Sequence, residues 1–193
     1  MADDRSNNDT IRLANHFLIA MPTLADPNFS QTVTYVCEHS EHGAMGIVIN
    51  RPTEVTLGDL FQHLELETNE YCPFDDTVFV GGPVKRDRGF VLHTPDVPWE
   101  SSIQISEDVA LTTSRDILAA LALGKGPDNC LVALGYAGWG AGQLEEEMAQ
   151  NAWLSGPADP GVIFRTATEE RWRAAALRLG IDISRLSFEA GHA

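Results

Sequence analysis

The chain has 193 residues, 44% hydrophobic and 21% charged, with 28 Asp and Glu against 13 Lys and Arg and a formal net charge of −15. That length and composition suit one globular domain with a hydrophobic core of its own. An average surface this acidic repels phosphate backbones, so direct nucleic-acid binding is not expected, and the plainest role of the charge is solubility.

Cys37, Cys72 and Cys130 are odd in number and lack C-x-x-C spacing. Reduced thiols in the cytoplasm fit that count better than a disulfide framework. Residues 1–8 are polar and have no apolar centre of the kind a secretory signal needs. No apolar run approaches the roughly 20 residues of a membrane helix. A cytoplasmic protein without a membrane partner is expected.

In chain order, residues 1–11 read as a flexible polar lead-in, 12–188 as one domain and 189–193 as a tail. Residues 16–21 read as a short strand ended by Pro22. Residues 32–38 alternate, with Val33, Tyr35 and Cys37 on one face. Residues 43–50 are apolar on both faces, as in a central strand, and the connector 38–42 suits a hairpin between the two. Arg51-Pro52 then breaks the sheet. Thr56 with Asp59 makes a capping box, followed by Leu57, Leu60, Phe61 and Leu64 along one face of a helix.

Residues 77–80 and 89–94 read as strands paired through a turn at 85–88, and 102–105 and 109–112 as shorter ones. Thr113 or Ser114 caps a helix with Ile117, Leu118 and Leu121 inward, ended at Gly124. An apolar strand over 131–136 runs into a glycine corner, Gly138-Trp139-Gly140-Ala141-Gly142. A helix lined by Leu144, Met148 and Ala152 follows. Residues 162–165 read as a last strand. Thr166 with Glu169 repeats the capping-box pattern ahead of a stripe of Trp172, Ala175, Ala176 and Leu179 that Gly180 stops. Regular βαβ alternation is absent, so the expected class is α+β: one domain with a mixed, curved sheet.

The glycine corner is the most unusual stretch. A strand followed by glycines and a helix is where backbone N–H groups can meet an anion. Yet G-W-G-A-G is neither the dinucleotide fingerprint nor a phosphate loop, and Glu145, Glu146 and Glu147 would repel a phosphate. Trp139 reads either as an exposed stacking lid or as a corner residue folded onto the sheet, and the usual burial of large aromatics favours the second. Residues 37–42 bring Cys37, His39 and His42 close together, but the spacing fits a polar hairpin better than zinc. His93, at a strand end, is a candidate general base. Arg51 is a candidate partner for a carboxylate. No pattern calls for a cofactor or a metal, and hydrolase and metalloprotease signatures are absent.

Five segments together carry a resemblance: residues 13–22 (LANHFLIAMP), Cys37-Glu38-His39, residues 43–52 (GAMGIVINRP), Gly81-Gly82-Pro83-Val84, and residues 134–154. In order and content they resemble the YqgE/AlgH family of bacterial proteins, from about Leu13 to Phe188. Ala141 departs from the proline common in that family after Gly-Trp-Gly, and His42 is not typical of it. The resemblance implies an α+β domain with a barrel-like sheet, helices packed outside, and a cytosolic location. It also brings a transcriptional-regulator label carried by some members, a link to alginate regulation, and no catalytic mechanism. It points to Asn50, Arg51 and Pro52, to Gly81, Gly82 and Pro83, and to Gly138, Trp139, Gly140, Gln143 and Glu145. All three groups fall at strand ends and are expected to meet around one cleft.

Three functions are therefore in play. The first is a regulatory module that binds a small molecule or a protein partner through Asn50, Arg51, Gly81, Gly82, Trp139, Gly140, Gln143 and Glu145. The second is an enzyme using Arg51, His93 and Glu145, which requires those three to converge. The third is a purely structural role for the motifs.

Overall fold

Alternating apolar residues set up an antiparallel meander of β1 (His16–Ala20), β2 (Val33–Ser40) and β3 (Gly43–Val48). Phe17 lies opposite Tyr35, and Tyr35 opposite Ile47, on one shared face. The structure, a computed structural model, describes residues 12–186. The lead-in at 1–11 and the tail at 189–193 lie outside the described residues.

β3 pairs with the long strand β9 (Cys130–Gly140), which in turn pairs with β6 (Val84–His93). β8 (Ala110–Thr112) and β7 (Ser102–Gln104) extend the sheet beyond β6. β10 (Trp153–Pro157) closes the other end against β1. β5 (Thr77–Val80) runs parallel to β9, and β4 (Pro52–Thr56) is antiparallel to β5. The result is a mixed, curved, partly barrel-like sheet of ten strands.

The helices packed around it are α1 (Leu57–His63), α2 (Arg115–Ala122), α3 (Gln143–Ala149), α4 (Pro160–Phe164), α5 (Arg171–Leu177) and α6 (Ile183–Leu186). One core cluster joins Phe17, Tyr35, Ile47, Phe90 and Leu92 to Val162, Ala175 and Ile183 of α4–α6. A second joins α1 and α2 to Val91 and Val132. A third joins Leu144 of α3 to Leu18, Val36, Trp139 and Trp153.

The helix α1 starts as its sequence dictates: Thr56 Oγ1 accepts from Asp59 N, and the Asp59 carboxylate accepts from Thr56 N. The hairpin over 38–42 also forms as expected. Elsewhere the structure corrects the sequence reading. Pro52 begins β4 instead of ending the sheet, because its missing N–H is tolerated on an edge strand. The expected pairing of β5 with β6 does not occur; β5 lies against β9 instead, and residues 85–88 fall within β6 as a bulge opposite Gly135, with Lys85 at a φ of +49°.

Residues 162–165 belong to helix α4 instead of a strand. Asp159 caps it by accepting from Gly161 N, and Pro160 opens it, the usual place for proline in a helix. The second capping box is absent: Thr166 Oγ1 donates to Gly161 O, and a 3₁₀ turn over Thr168–Glu170 leads into α5. The strand β10, not read from the sequence, begins where α3 ends.

Candidate functional site

Two irregularities in neighbouring strands shape the site. In β2 the register slips between Val36 and Glu38, so Cys37 is an extra residue. His39 therefore takes the face that Val36 occupies, and Glu38 turns to the opposite face, cross-strand to Met45. In β9 the register slips against β6 around Gly135, whose φ is +76°. Tyr136 and Gly138 then point to the face of Met45, while Ala137 and Trp139 point away. Bulges of this sort occur at barrel rims and re-aim side chains. Here they end the main core at Met45 and Tyr136, both packed on its margin.

Beyond that margin lies a cleft of about 680 Å³ lined by Glu38, Ser40, Met45, Val84, Tyr136 and Gly138, among others. Gly43 and Gly138 leave bare backbone in its lining. The glycine corner is thus strand up to Gly140, paired to β3 with Gly43 opposite Gly140 and Ala44 opposite Trp139. The turn is confined to Ala141 and Gly142.

Trp139 is only 5% exposed, the folded-in alternative that its size favoured, and it contributes to the lining of the cleft. Its ring stacks near Phe29, with centroids 6.0 Å apart, and meets Trp153 edge-on at 6.1 Å. Its Nε1 donates to Glu147 Oε2 at 3.0 Å, and Trp153 Nε1 donates to the same oxygen at 2.8 Å. Gln143 links the strand to this group: Gly140 N donates to Gln143 Oε1, and Gln143 Nε2 donates to Glu147 Oε1, both at 3.0 Å.

Glu145 is held by a residue from another strand. His39 Nδ1 accepts from Leu13 N at 3.0 Å, which fixes the proton on Nε2, and Nε2 donates to Glu145 Oε1 at 2.7 Å. The helix-start backbone at Glu145 and the His39 bond both hold its carboxyl below the ordinary range. Glu147, and the pairing of His39 with the expected site residue Glu145, are what sequence reasoning missed. The i, i+4 spacing of Gln143 and Glu147 was the one signal that could have found the first. Nothing local could have found the second, since its partners are far apart in sequence.

The remaining candidates divide. Gly81 and Gly82 press against β9 behind the cleft: a Cβ on Gly81 would stand 2.2 Å from Gly135 O, and one on Gly82 2.1 Å from the Tyr136 carbonyl carbon. Asn50 and Arg51 sit elsewhere. Asn50 Oδ1 accepts from Val33 N, Asn50 Nδ2 donates to Gln31 O, and Arg51 Nη2 donates to Ser30 O. They line a separate cavity of about 580 Å³ with Glu169 and Trp172, and it shares no lining residue with the cleft. The three motifs therefore do not meet around one cleft: Gly138 and Trp139 line it, Gly81 and Gly82 support its β9 wall from behind, and Asn50 and Arg51 lie apart.

The trio Arg51, His93 and Glu145 does not converge either. His93 is opposite Cys130 at the start of β9, and Glu145 follows its end. Ten residues of strand span about 33 Å. His93 is 1% exposed, its Nδ1 donates to Thr94 O, and its Nε2 accepts from Thr112 Oγ1. Burial pushes its pKa down. It is a satisfied core histidine, and no acid–base pair forms with the other two.

Among the described residues, no three His, Cys, Asp or Glu side chains are placed to share a metal ion. No helix of the described residues is long and apolar enough to cross a membrane.

A family model described as AlgH-like, DUF179, matches residues 17–184. The chain belongs to the AlgH-like family. A UPF0301 protein of Thioalkalivibrio sulfidiphilus is 59% identical over 179 residues, covering 93% of this chain and 96% of the relative. One from Nitrosococcus oceani is 54% identical over the same shares. The solution structure of the AlgH protein from Pseudomonas aeruginosa superposes on this AlgH-like chain with a TM-score of 0.78 at 49% identity, over 100% of both chains. A crystal structure from Corynebacterium diphtheriae reaches 0.72 at 18% identity, covering 97% of this chain and 99% of the other. At that identity the likeness concerns the fold alone.

Proposed function

We propose that this AlgH-like chain is a non-catalytic binding module of the cytoplasm. Its recognition surface is the cleft over Glu38, Ser40, Met45, Tyr136 and Gly138, which accepts a small ligand or a projecting side chain of a protein partner. The observation that carries the reading is the cleft itself: about 680 Å³ of space where two bulged strands leave bare glycine backbone beside an aromatic ring and a carboxylate. A concave site with a few convergent polar groups is the usual form of a ligand site.

In this reading the chemistry of the corner is scaffold. Trp139 and Gln143 donate to Glu147, Gly140 donates to Gln143, and Glu145 accepts from His39, while Gly81 and Gly82 hold β9 from behind. Asn50 and Arg51 belong to a second contact region. A net charge of −15 argues that any regulatory effect runs through a ligand or a protein partner instead of direct contact with DNA.

The test is a thermal-shift screen against metabolites and nucleotides, run on the wild type and on Gly138→Val. Valine suits a strand and projects into the cleft. A ligand that binds only the folded state raises the melting midpoint. A hit lost in Gly138→Val supports the reading, and hits indifferent to that substitution refute it.

A further inference from the structure

A second cavity lies between α1, α2 and the face of β6 and β9 turned away from the main core. Its volume is about 370 Å³, within the range of small-ligand pockets. It shares no lining residue with the cleft. Leu60 and Leu64 of α1, Leu118 of α2, Val91 of β6 and Leu134 of β9 form an apolar wall.

Gly89 opens the floor. A Cβ built there would have only Leu118 Cδ1 within reach, at 4.0 Å, and the residue has no left-handed φ to demand glycine. Glycine inside a strand weakens it and marks a place where a ligand or another backbone comes close. Close packing is the rule in protein interiors, and beside these apolar side chains the protein keeps a space open.

The mouth carries two opposite charges, Asp87 and Arg115. They do not pair with each other; the arginine–carboxylate bridges among the described residues are Arg178–Asp159 and Arg185–Asp182. Arg115 Nη2 donates to Leu64 O at 2.6 Å, which fixes the guanidinium at the rim with donors to spare. Thr113, whose hydroxyl accepts from Arg88 Nη2 at 3.4 Å, and His63 add to the polar lining. An anion alone would meet Asp87, and a cation alone would meet Arg115. A small molecule bearing both charges beside an apolar body satisfies both.

We propose that this cavity binds a free apolar α-amino acid. Its side chain lies among the leucines over Gly89, its carboxylate meets Arg115 and its ammonium meets Asp87. The wall discriminates against polar side chains because they would lose water without gaining hydrogen bonds.

The experiment is calorimetric titration and thermal shift with L-leucine and L-phenylalanine. The controls are N-acetyl-L-phenylalanine, which lacks the ammonium, and L-phenylalaninamide, which lacks the carboxylate. The expected result is one saturable site for the free amino acids, weakened at least about tenfold for each derivative, the scale of one lost charge-assisted hydrogen bond. Gly89→Leu fills the floor and abolishes binding while the protein still melts cooperatively. Asp87→Asn, at an exposed position, weakens binding without changing the melt; Arg115→Gln weakens binding and also lowers the melt somewhat by freeing the Leu64 carbonyl, and the two decide the matter should Gly89→Leu fold poorly. Absence of binding at millimolar amino acid overturns the proposal. So do derivatives that bind as well as the parent, or binding that survives all three substitutions.

Discussion

One carboxylate oxygen, Glu147 Oε2, accepts a hydrogen bond from the indole N–H of Trp139 and another from that of Trp153. The two rings sit on different strands, β9 and β10, and Phe29 packs against both. Glu147→Ala leaves two largely buried donors without their acceptor. The expected cost is about 2 kcal/mol, since one unsatisfied buried group costs about 1–3 kcal/mol and water reaches part of this site. Glu147→Gln keeps an acceptor and loses less. Urea denaturation of the three proteins, read by tryptophan fluorescence, gives the ranking; equal midpoints would show that the shared acceptor is dispensable.

Trp139→Ala removes a ring from the third core cluster. Large aromatic-to-alanine changes in a core cost about 3–5 kcal/mol, so the variant should melt far below the wild type or fail to accumulate folded. A free lid would instead melt like the parent. Differential scanning calorimetry separates the two.

The glycines should not respond alike. Gly82→Ala puts a methyl within 2.2 Å of the Tyr136 carbonyl at a φ of +155° and should abolish cooperative folding. At Gly140 a Cβ meets nothing nearer than Gln143 Oε1, at 3.9 Å, so Gly140→Ala should lie within about 1 kcal/mol of wild type. Gly142 has open space but a φ of +75°, and Gly142→Ala should cost about 1 kcal/mol for the left-handed backbone. Thermal melts of the three order the roles of closeness and conformation.

His93 gives stability a pH dependence. Its folded pKa is depressed below the unfolded value of 6.5 because burial disfavours the imidazolium. Below pH 6.5 the unfolded chain therefore takes up a proton that the folded chain refuses, and the folded state loses ground as pH falls. Above that value the contribution is constant. Urea midpoints between pH 8 and pH 5 should drop for the wild type, and the slope should be shallower in His93→Gln; parallel slopes would assign the drop to other groups.

The thiols should be slow. Burial pushes the Cys130 pKa up to about 12 and raises that of Cys37, so little thiolate exists at neutral pH. Alkylation by iodoacetamide at pH 8 should run much faster in urea than in the native protein. Equal rates would mean that the core around Cys37 opens readily.

How much of this was legible depended on whether the signal was local. Thr56 with Asp59 announced α1, and the alternation at Val33, Tyr35 and Cys37 announced β2, because each pattern is complete within a few residues. Val162, Ile163 and Phe164 misled: three β-prone residues looked like a strand, and the Asp159-Pro160 start signal ahead of them was passed over. β10 was hidden because Trp153 and Leu154 prolonged the apolar pattern of α3. The cleft was the least legible feature. It depends on the extra residue Cys37 and the flip at Gly135, and a bulge is defined by the partner strand, which the sequence does not announce. The same holds for His39 with Glu145, whose pairing requires β2 and α3 to have found each other first.

The first and last strands of the sheet are neighbours: β1 pairs with β10 along its whole length, from His16 opposite Pro157 to Ala20 opposite Trp153. During synthesis β1 leaves the ribosome long before its partner exists, and its hydrophobic edge over Phe17, Leu18 and Ile19 stays open until Trp153–Pro157 have emerged. Pairings between such distant segments slow folding and lengthen exposure to aggregation. The yield of this protein in the cell should therefore depend on temperature and on chaperones that shield nascent chains.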